Sequence, residues 1–138
     1  MRKKRVLFLC FNNSCRSQMA EGLLRSLASD DFEAFSAGSA PTRVHPQAIH
    51  VMREIGIDIS GQRSKSVSEF DAWAFDFVIT VCEGDACPFF TGEAGARLAW
   101  SFEDPAQAPG TDDEVLVMFR KVRDTIEDSM ERFVAEYD

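Results

Sequence analysis

The chain has 138 residues and a formal net charge of -8, with 45% hydrophobic and 28% charged residues. A chain of this length and composition can bury one continuous core, so residues 1–138 are interpreted as a single domain, and we expect a monomer. The acidic balance argues against nucleic acid and anionic membrane as partners, because both attract clustered positive charge.

The N-terminus carries a short basic run, residues 2–5, followed by an apolar run at residues 6–9. This apolar run is too short for the core of a secretory signal, and the polar residues Asn12 and Asn13 soon end the apolar stretch. We therefore expect a cytoplasmic protein without a transmembrane segment. In that compartment the four cysteines are expected to be catalytic thiols, metal ligands or core residues rather than structural disulfides.

In chain order, hydrophobic periodicity and capping signals predict alternating strands and helices. The predicted elements are a strand at 5–10, a helix at 17–28, a strand at 32–36, a helix at 46–55, a short helix opened by a capping box at 66–69 and running toward residue 75, strands at 77–81 and 97–101, and a last helix whose apolar positions run from 115 to 133. This alternation predicts an α/β fold with a four-stranded parallel sheet and helices on both faces.

Functional loops in such sheets lie at the carboxyl ends of the strands, where Cys10, Cys82 and residues 100–104 are expected. The first loop, residues 10–17, joins a buried strand to a helix N-terminus, and its N–H groups can turn inward around an anion. Arg16 would add a planar fork of donors for two oxygens of a tetrahedral ligand. The predicted binding residues are Phe11, Asn12, Asn13, Ser14, Cys15, Arg16 and Ser17.

The same positive field would stabilise a thiolate, so Cys10 is expected to be an ionised nucleophile at neutral pH. The alternative interpretation is a buried cysteine at a strand end. An arginine six residues later, between a strand and a helix, favours the nucleophile.

The pattern Cys10-x5-Arg16-Ser17 after an apolar strand resembles the low-molecular-weight protein tyrosine phosphatase superfamily. The longer match of residues 10–22, together with 36–38, the later cysteine pair and 104–106, resembles its thiol-dependent arsenate reductase branch. The resemblance covers most of the chain and implies the phosphatase-like fold.

The resemblance also implies a mechanism. Cys10 would attack arsenate, Cys82 would attack the Cys10 sulfur and expel arsenite, and Cys87 would attack Cys82. Thioredoxin or another thiol donor would then reduce the Cys82–Cys87 disulfide, with no tightly bound cofactor. Asp104, followed by a proline, matches the general acid of the family; taken alone, this dipeptide is an ordinary turn.

Helical geometry constrains this relay, because cysteines five positions apart on a helix have Cα atoms about 8 to 9 Å apart, beyond the ~7 Å limit for a disulfide. The segment must therefore rearrange, and Gly84, Gly92 and Gly95 favour a mobile loop. The alternative is that Cys82 is a core residue and Cys87 an incidental surface thiol.

Some family members hold a potassium ion beside the anion loop. The corresponding positions here include Asn13 and Ser36, but the later ones are Arg63 and Lys65, which are not cation ligands. We hypothesise that the Lys65 ammonium occupies the place of the ion; solvated surface charges are the alternative. No metal site is predicted, and Cys15 is expected to pack within the loop without taking part in the relay.

His45 and His50 lie away from every motif and are expected to face solvent. The first rival function is a phosphatase of the same fold. The second is a zinc module of all four cysteines, although two intervening residues are commoner than four in structural zinc sites.

Overall fold

The computed structural model describes residues 2–82 and 87–138. Its strands are β1 (Lys4–Leu9), β2 (Phe32–Ala37), β3 (Ala74–Thr80) and β4 (Glu93–Ala99), and its helices are α1 (Arg16–Ala28), α2 (Pro46–Arg53) and α3 (Asp112–Tyr137), with short 3₁₀ helices at Val67–Phe70 and Pro105–Gln107. The predicted alternation of strands and helices is confirmed. In the described part of the chain, no helix is both long and apolar enough to cross a bilayer.

The sheet has the order β2-β1-β3-β4, and all three strand pairs are parallel, as predicted. The central strand β1 is apolar because both of its faces are covered: Val6 and Phe8 belong to one hydrophobic cluster, and Leu7 and Leu9 to the other. All four side chains are fully buried. This strand therefore places the loop that follows it at the middle of the sheet edge.

The two faces of the sheet are covered unequally. The three α-helices share one cluster with one face, where α1 and α2 both contact α3. The 3₁₀ helix Val67–Phe70 covers the other face with an aromatic cluster, in which Phe70 and Phe75 have ring centroids 5.6 Å apart. Helical elements thus lie on both faces, as predicted, although within residues 2–82 and 87–138 the helical element on the second face is a single 3₁₀ turn.

The segment 66–75 differs from its prediction as one short helix. The 3₁₀ helix ends at Phe70, and β3 already begins at Ala74. The predicted capping box is wrong as well, because the Ser66 hydroxyl accepts from the Ser68 N–H at 3.2 Å, while the Glu69 carboxylate pairs with Arg63 at 2.8 Å. The competing salt bridge occupies the side chain that a capping box needs.

The prediction of a mobile glycine loop is wrong for Gly95, which lies inside β4. A Cβ atom there would come 2.8 Å from the backbone oxygen of Asp76, so this glycine permits close packing of β3 against β4. Gly84 lies outside the described residues.

Candidate active site

Three strand ends meet at the carboxyl edge of the sheet. Cys10 follows β1, Cys82 follows β3 by two residues, and Asp104 follows β4. The first two ends are joined directly, because Val81 N–H donates to the Leu9 carbonyl at 3.0 Å and the Cys82 Sγ lies 3.7 Å from the same oxygen. The fold therefore brings together the residues that the sequence placed in three separate motifs.

The loop at residues 10–16, which we call the anion loop, directs its carbonyl groups outward. Three of its carbonyl oxygens accept backbone hydrogen bonds of 3.0–3.3 Å from the segment 40–45; they belong to Phe11, Asn12 and Ser14. No described residue accepts a hydrogen bond from the backbone N–H groups of residues 11–15. With its acceptors engaged and its donors unpaired, the loop can bind an anion.

Gly38 allows the neighbouring segment to approach this loop closely. A Cβ atom at this position would lie 2.6 Å from the Cys10 oxygen and 2.5 Å from the Phe11 oxygen. Any other residue would therefore push the segment away from the anion loop.

Asn13 holds the loop from inside. It is fully buried and has a positive φ of 48°. Its Oδ1 accepts from Gln18 Nε2 and from the Lys65 N–H, both at 2.9 Å, and its Nδ2 donates to Ser17 Oγ at 2.7 Å. Gln18, which the sequence reasoning missed, also donates to the Asn13 carbonyl at 3.1 Å and to the Arg63 carbonyl at 3.0 Å. The sequence signal that could have identified Gln18 is a polar amide at a position on the buried face of α1.

The guanidinium of Arg16 is buried and only partly paired. Its Nη1 donates to the Phe102 carbonyl at 3.0 Å, and its Nη2 lies 3.7 Å from the Asp104 carboxylate. Its buried Nε has no hydrogen-bond partner among the described residues. A buried donor without a partner costs free energy, so this N–H is well suited to an oxyanion in the loop.

Asp104 is positioned by the short helix that it caps. Its Oδ1 accepts from the Ala106 N–H at 3.0 Å, and Pro105 is the first residue of the 3₁₀ helix. This cap fixes the carboxyl group beside Arg16, where a proton donor could reach an oxygen of the bound anion.

The two cysteines of the anion loop are both free and almost fully buried. Burial, with a contribution from the charge of Asp104, raises the pKa of the Cys15 thiol to about 12. Its sulfur lies 3.9 Å from Ser14 Oγ. Cys15 therefore remains protonated at neutral pH and cannot serve as a thiolate nucleophile.

The later cysteines form a disulfide. Cys82 and Cys87 have Cα atoms 5.7 Å apart, well below the separation of a regular helix. Cys82 is 8% exposed, while Cys87 is half-buried. In this state the pair cannot provide thiolate ligands, so the four-cysteine zinc interpretation loses two of its ligands. No group of three potential metal ligands converges within residues 2–82 and 87–138.

A buried polar cluster supports the anion loop from the side of β2. The Lys65 Nζ lies 3.6 Å from Glu21 Oε1, which also accepts from Ser36 Oγ at 2.6 Å. Burial lowers the pKa of Lys65, although the charge of Glu21 opposes this effect. Arg63 instead pairs with Glu69 at the surface. Of the two basic residues, Lys65 alone lies where its ammonium group can take the place of the potassium ion in our hypothesis.

The expectation that His45 faces solvent is wrong. Its ring is half-buried, packs 5.0 Å from the Phe119 ring, and caps α2 by accepting from the Gln47 N–H at 3.1 Å. Its backbone N–H donates to the Ser14 carbonyl of the anion loop at 3.0 Å. Burial and then the nearby Arg43 lower the pKa of His45. The sequence placed it before a helix but could not place that helix against the loop. His50 is exposed, as expected.

The chain matches the family described as low molecular weight phosphotyrosine protein phosphatase over residues 5–138. Since the match covers nearly the whole sequence, the chain belongs to this family, and the predicted phosphatase-like fold is confirmed.

Within the family, several similar proteins are named arsenate reductase. A protein of Halalkalibacterium halodurans named arsenate reductase is 45% identical over 128 residues, 91% of each chain. A Synechocystis protein named glutaredoxin arsenate reductase is 40% identical over 134 residues, covering 96% of this chain and 98% of the relative. A solved structure described as an arsenate reductase in the oxidised state has a TM-score of 0.83 at 36% identity, covering 98% of this chain and 99% of the other. The resemblance inferred from the motifs is confirmed.

Proposed function

We propose that this protein reduces arsenate to arsenite through a relay of Cys10, Cys82 and Cys87. The observation that carries the proposal is the juxtaposition of an anion loop containing Cys10 with a redox-active cysteine pair, because Cys82 Sγ contacts the carbonyl of the residue before Cys10. A phosphatase needs Cys10, Arg16 and an acid, but it gives Cys82 and Cys87 no role.

In the first step the Cys10 thiolate attacks arsenic. A sulfur–arsenic bond forms, one arsenic–oxygen bond breaks, and the oxygen leaves as water with a proton from Asp104. The unpaired N–H groups of the anion loop and the Arg16 guanidinium hold the remaining oxygens. Arsenic is still pentavalent after this step.

In the second step the electrons move. The Cys82 thiolate attacks Cys10 Sγ, a disulfide forms, and the sulfur–arsenic bond breaks with its electron pair left on arsenic, which departs as arsenite. Cys87 then attacks Cys82 Sγ and releases Cys10 as a thiolate. The resulting Cys82–Cys87 disulfide is the state that this structure shows.

The disulfide must be reduced before another cycle, which requires a thiol donor and a reducing compartment such as the cytoplasm. Cys87 is the more exposed of the two residues, while Cys82 Sγ lies against the Leu9 carbonyl. Attack on Cys87 would release the Cys82 thiolate on the side of Cys10, where the next cycle needs it.

Single-turnover arsenite release tests the relay. The reduced wild-type chain should release one arsenite per molecule without an added donor, whereas Cys82→Ser should release none. Cys87→Ser should release one arsenite and then stop as a Cys10–Cys82 disulfide, which peptide mass spectrometry identifies. If Cys82→Ser releases as much arsenite as the wild type, the relay is wrong. Hydrolysis of an aryl phosphate by the same variants reports any phosphatase activity.

A further inference from the structure

We propose that Phe89 and Arg97 form the docking surface for a small redox protein that presents a vicinal dithiol to the Cys82–Cys87 disulfide. The inference rests on the proposed function, since that function requires the disulfide to be reduced in every cycle. It adds the surface that recognises the donor and the chemical class of that donor.

Phe89 is an exposed apolar side chain close along the chain to Cys87, whose sulfur a donor must reach. It lies two residues after Cys87 and is 68% exposed, more than any other large hydrophobic side chain in the described part of the chain. A donor that forms a bond to Cys87 Sγ must cover the surface around it, and covering an exposed aromatic ring is favourable.

The backbone at Phe89 is anchored by its neighbour. Phe90 is 1% exposed, and its ring centroid lies 5.4 Å from that of Phe75 in the core. Gly92 packs closely against the Phe90 ring, since a Cβ atom at position 92 would lie 2.4 Å from the Phe90 Cζ atom. Phe89 is therefore exposed although its segment is packed.

Arg97 holds the Phe89 ring from the adjacent strand β4. Its guanidinium carbon lies 4.6 Å from the centroid of the ring, and its Nη2 donates to the Gly92 carbonyl at 3.1 Å. Because the ring is already ordered, a partner that packs on it loses less conformational entropy than it would on a free side chain. Such ordered aromatic and arginine side chains are typical of interface hot spots.

An apolar cleft beside Phe89 indicates a protein surface rather than a free peptide thiol as the occupant. The cleft has a volume of about 180 Å³ and is lined by Leu9, Pro88, Phe89 and Leu98 among others. Arg97 is the one charged side chain among its described lining residues. Glutathione carries two carboxylates and an ammonium group, and a mostly apolar lining with one guanidinium would leave most of these charged groups without partners.

The chemistry balances with a dithiol donor. One donor thiolate attacks Cys87 Sγ, the Cys82–Cys87 bond breaks, and Cys82 leaves as a thiolate. The second donor thiol then attacks its own partner sulfur in the mixed disulfide and releases Cys87. The donor ends as a disulfide, and two electrons have passed to Cys82 and Cys87.

The test compares Phe89→Ala with Val117→Ala, a matched control that removes a 60% exposed apolar side chain from α3. Reduction of the preformed disulfide is measured with thioredoxin, its reductase and NADPH, with a glutaredoxin and glutathione, and with dithiothreitol. We expect Phe89→Ala to lower kcat/KM for thioredoxin about tenfold, mostly through KM, which is a hot-spot effect. Arg97→Gln should have a smaller effect in the same direction, and Val117→Ala none.

Dithiothreitol separates docking from a change in the disulfide itself. All variants should react with it at the wild-type rate, because a small dithiol does not need the docking surface. The proposal is overturned if Phe89→Ala behaves like Val117→Ala, if it slows dithiothreitol equally, or if only small thiols reduce the wild type. Single-turnover arsenite release by Phe89→Ala should be normal, and that result would leave the relay standing even where docking fails.

Discussion

Cys10 and Cys15 have the same sequence spacing as Cys82 and Cys87, yet only the second pair forms a disulfide. The first pair lies in a loop whose carbonyl groups are tied to segment 40–45 and whose centre is held by Asn13. The second pair follows the interior strand β3, and the chain then leads to the exposed Phe89. Equal spacing therefore does not give equal structure: hydrogen bonds to neighbouring segments hold the loop of the first pair, whereas the second pair is joined by a disulfide.

Separate substitutions of Cys10 and Cys15 should give the largest difference in arsenite release. Cys10→Ser should abolish arsenite release, because the serine hydroxyl is un-ionised at neutral pH and cannot form the arsenic–sulfur bond. Cys15→Ser should retain most of the activity, since its thiol stays protonated with a pKa of about 12. Single-turnover arsenite measurement checks both. Loss of activity in both variants would mean that Cys15 also takes part in the relay.

Alkylation should separate the same two sulfurs in the unmodified chain. After brief treatment with iodoacetamide at pH 7, peptide mapping should find the label on Cys10 and not on Cys15, because only thiolates react quickly. Phosphate should protect Cys10 by occupying the anion loop. Equal labelling of both residues, or no protection by phosphate, would remove the basis for an anion-stabilised nucleophile.

Asn13 tests whether hydrogen bonds keep the first pair in its loop. Asn13→Ala should lower the free energy of unfolding by about 2 to 3 kcal/mol, because it leaves buried groups of Ser17, Gln18 and Lys65 without their partner. The matched control is Asn12→Ala, which removes one half-buried bond to the Ala40 carbonyl and should cost about 1 kcal/mol. Urea denaturation measures both. Equal effects would indicate that the Asn13 network is not what holds the loop.

Exchange of potassium for sodium in the buffer should have the smallest effect on the rate of arsenate reduction. If the Lys65 ammonium takes the place of a cation beside the loop, arsenate reduction should have the same rate in potassium and sodium chloride at equal ionic strength. Lys65→Met should destabilise the chain, since it leaves Glu21 with less positive charge around it, while Arg63→Gln at the exposed Arg63–Glu69 pair should change stability little. A clear potassium requirement of the wild type would contradict the hypothesis.

Local patterns in the sequence predicted much of the fold. The apolar run before Cys10 predicted β1, and the three- and four-residue steps of the last segment predicted α3, because both depend on periodicity within one element. The segment 66–75 was predicted less well, since the Arg63–Glu69 pair competes with the helix cap. That interaction depends on side-chain positions that the capping pattern does not include.

The sequence by itself determined the anion loop between a strand and a helix, and the alternation of four strands with helices, but not the order β2-β1-β3-β4 of the strands in the sheet. Only the tertiary structure decided which distant residues meet there: Arg16 with Asp104, Ser14 with His45, and Lys65 with Glu21. It also separated the adjacent residues Phe89 and Phe90, placing one outside and one in the core. Periodicity describes neighbours along the chain, whereas contacts between elements arise when their apolar faces pack together.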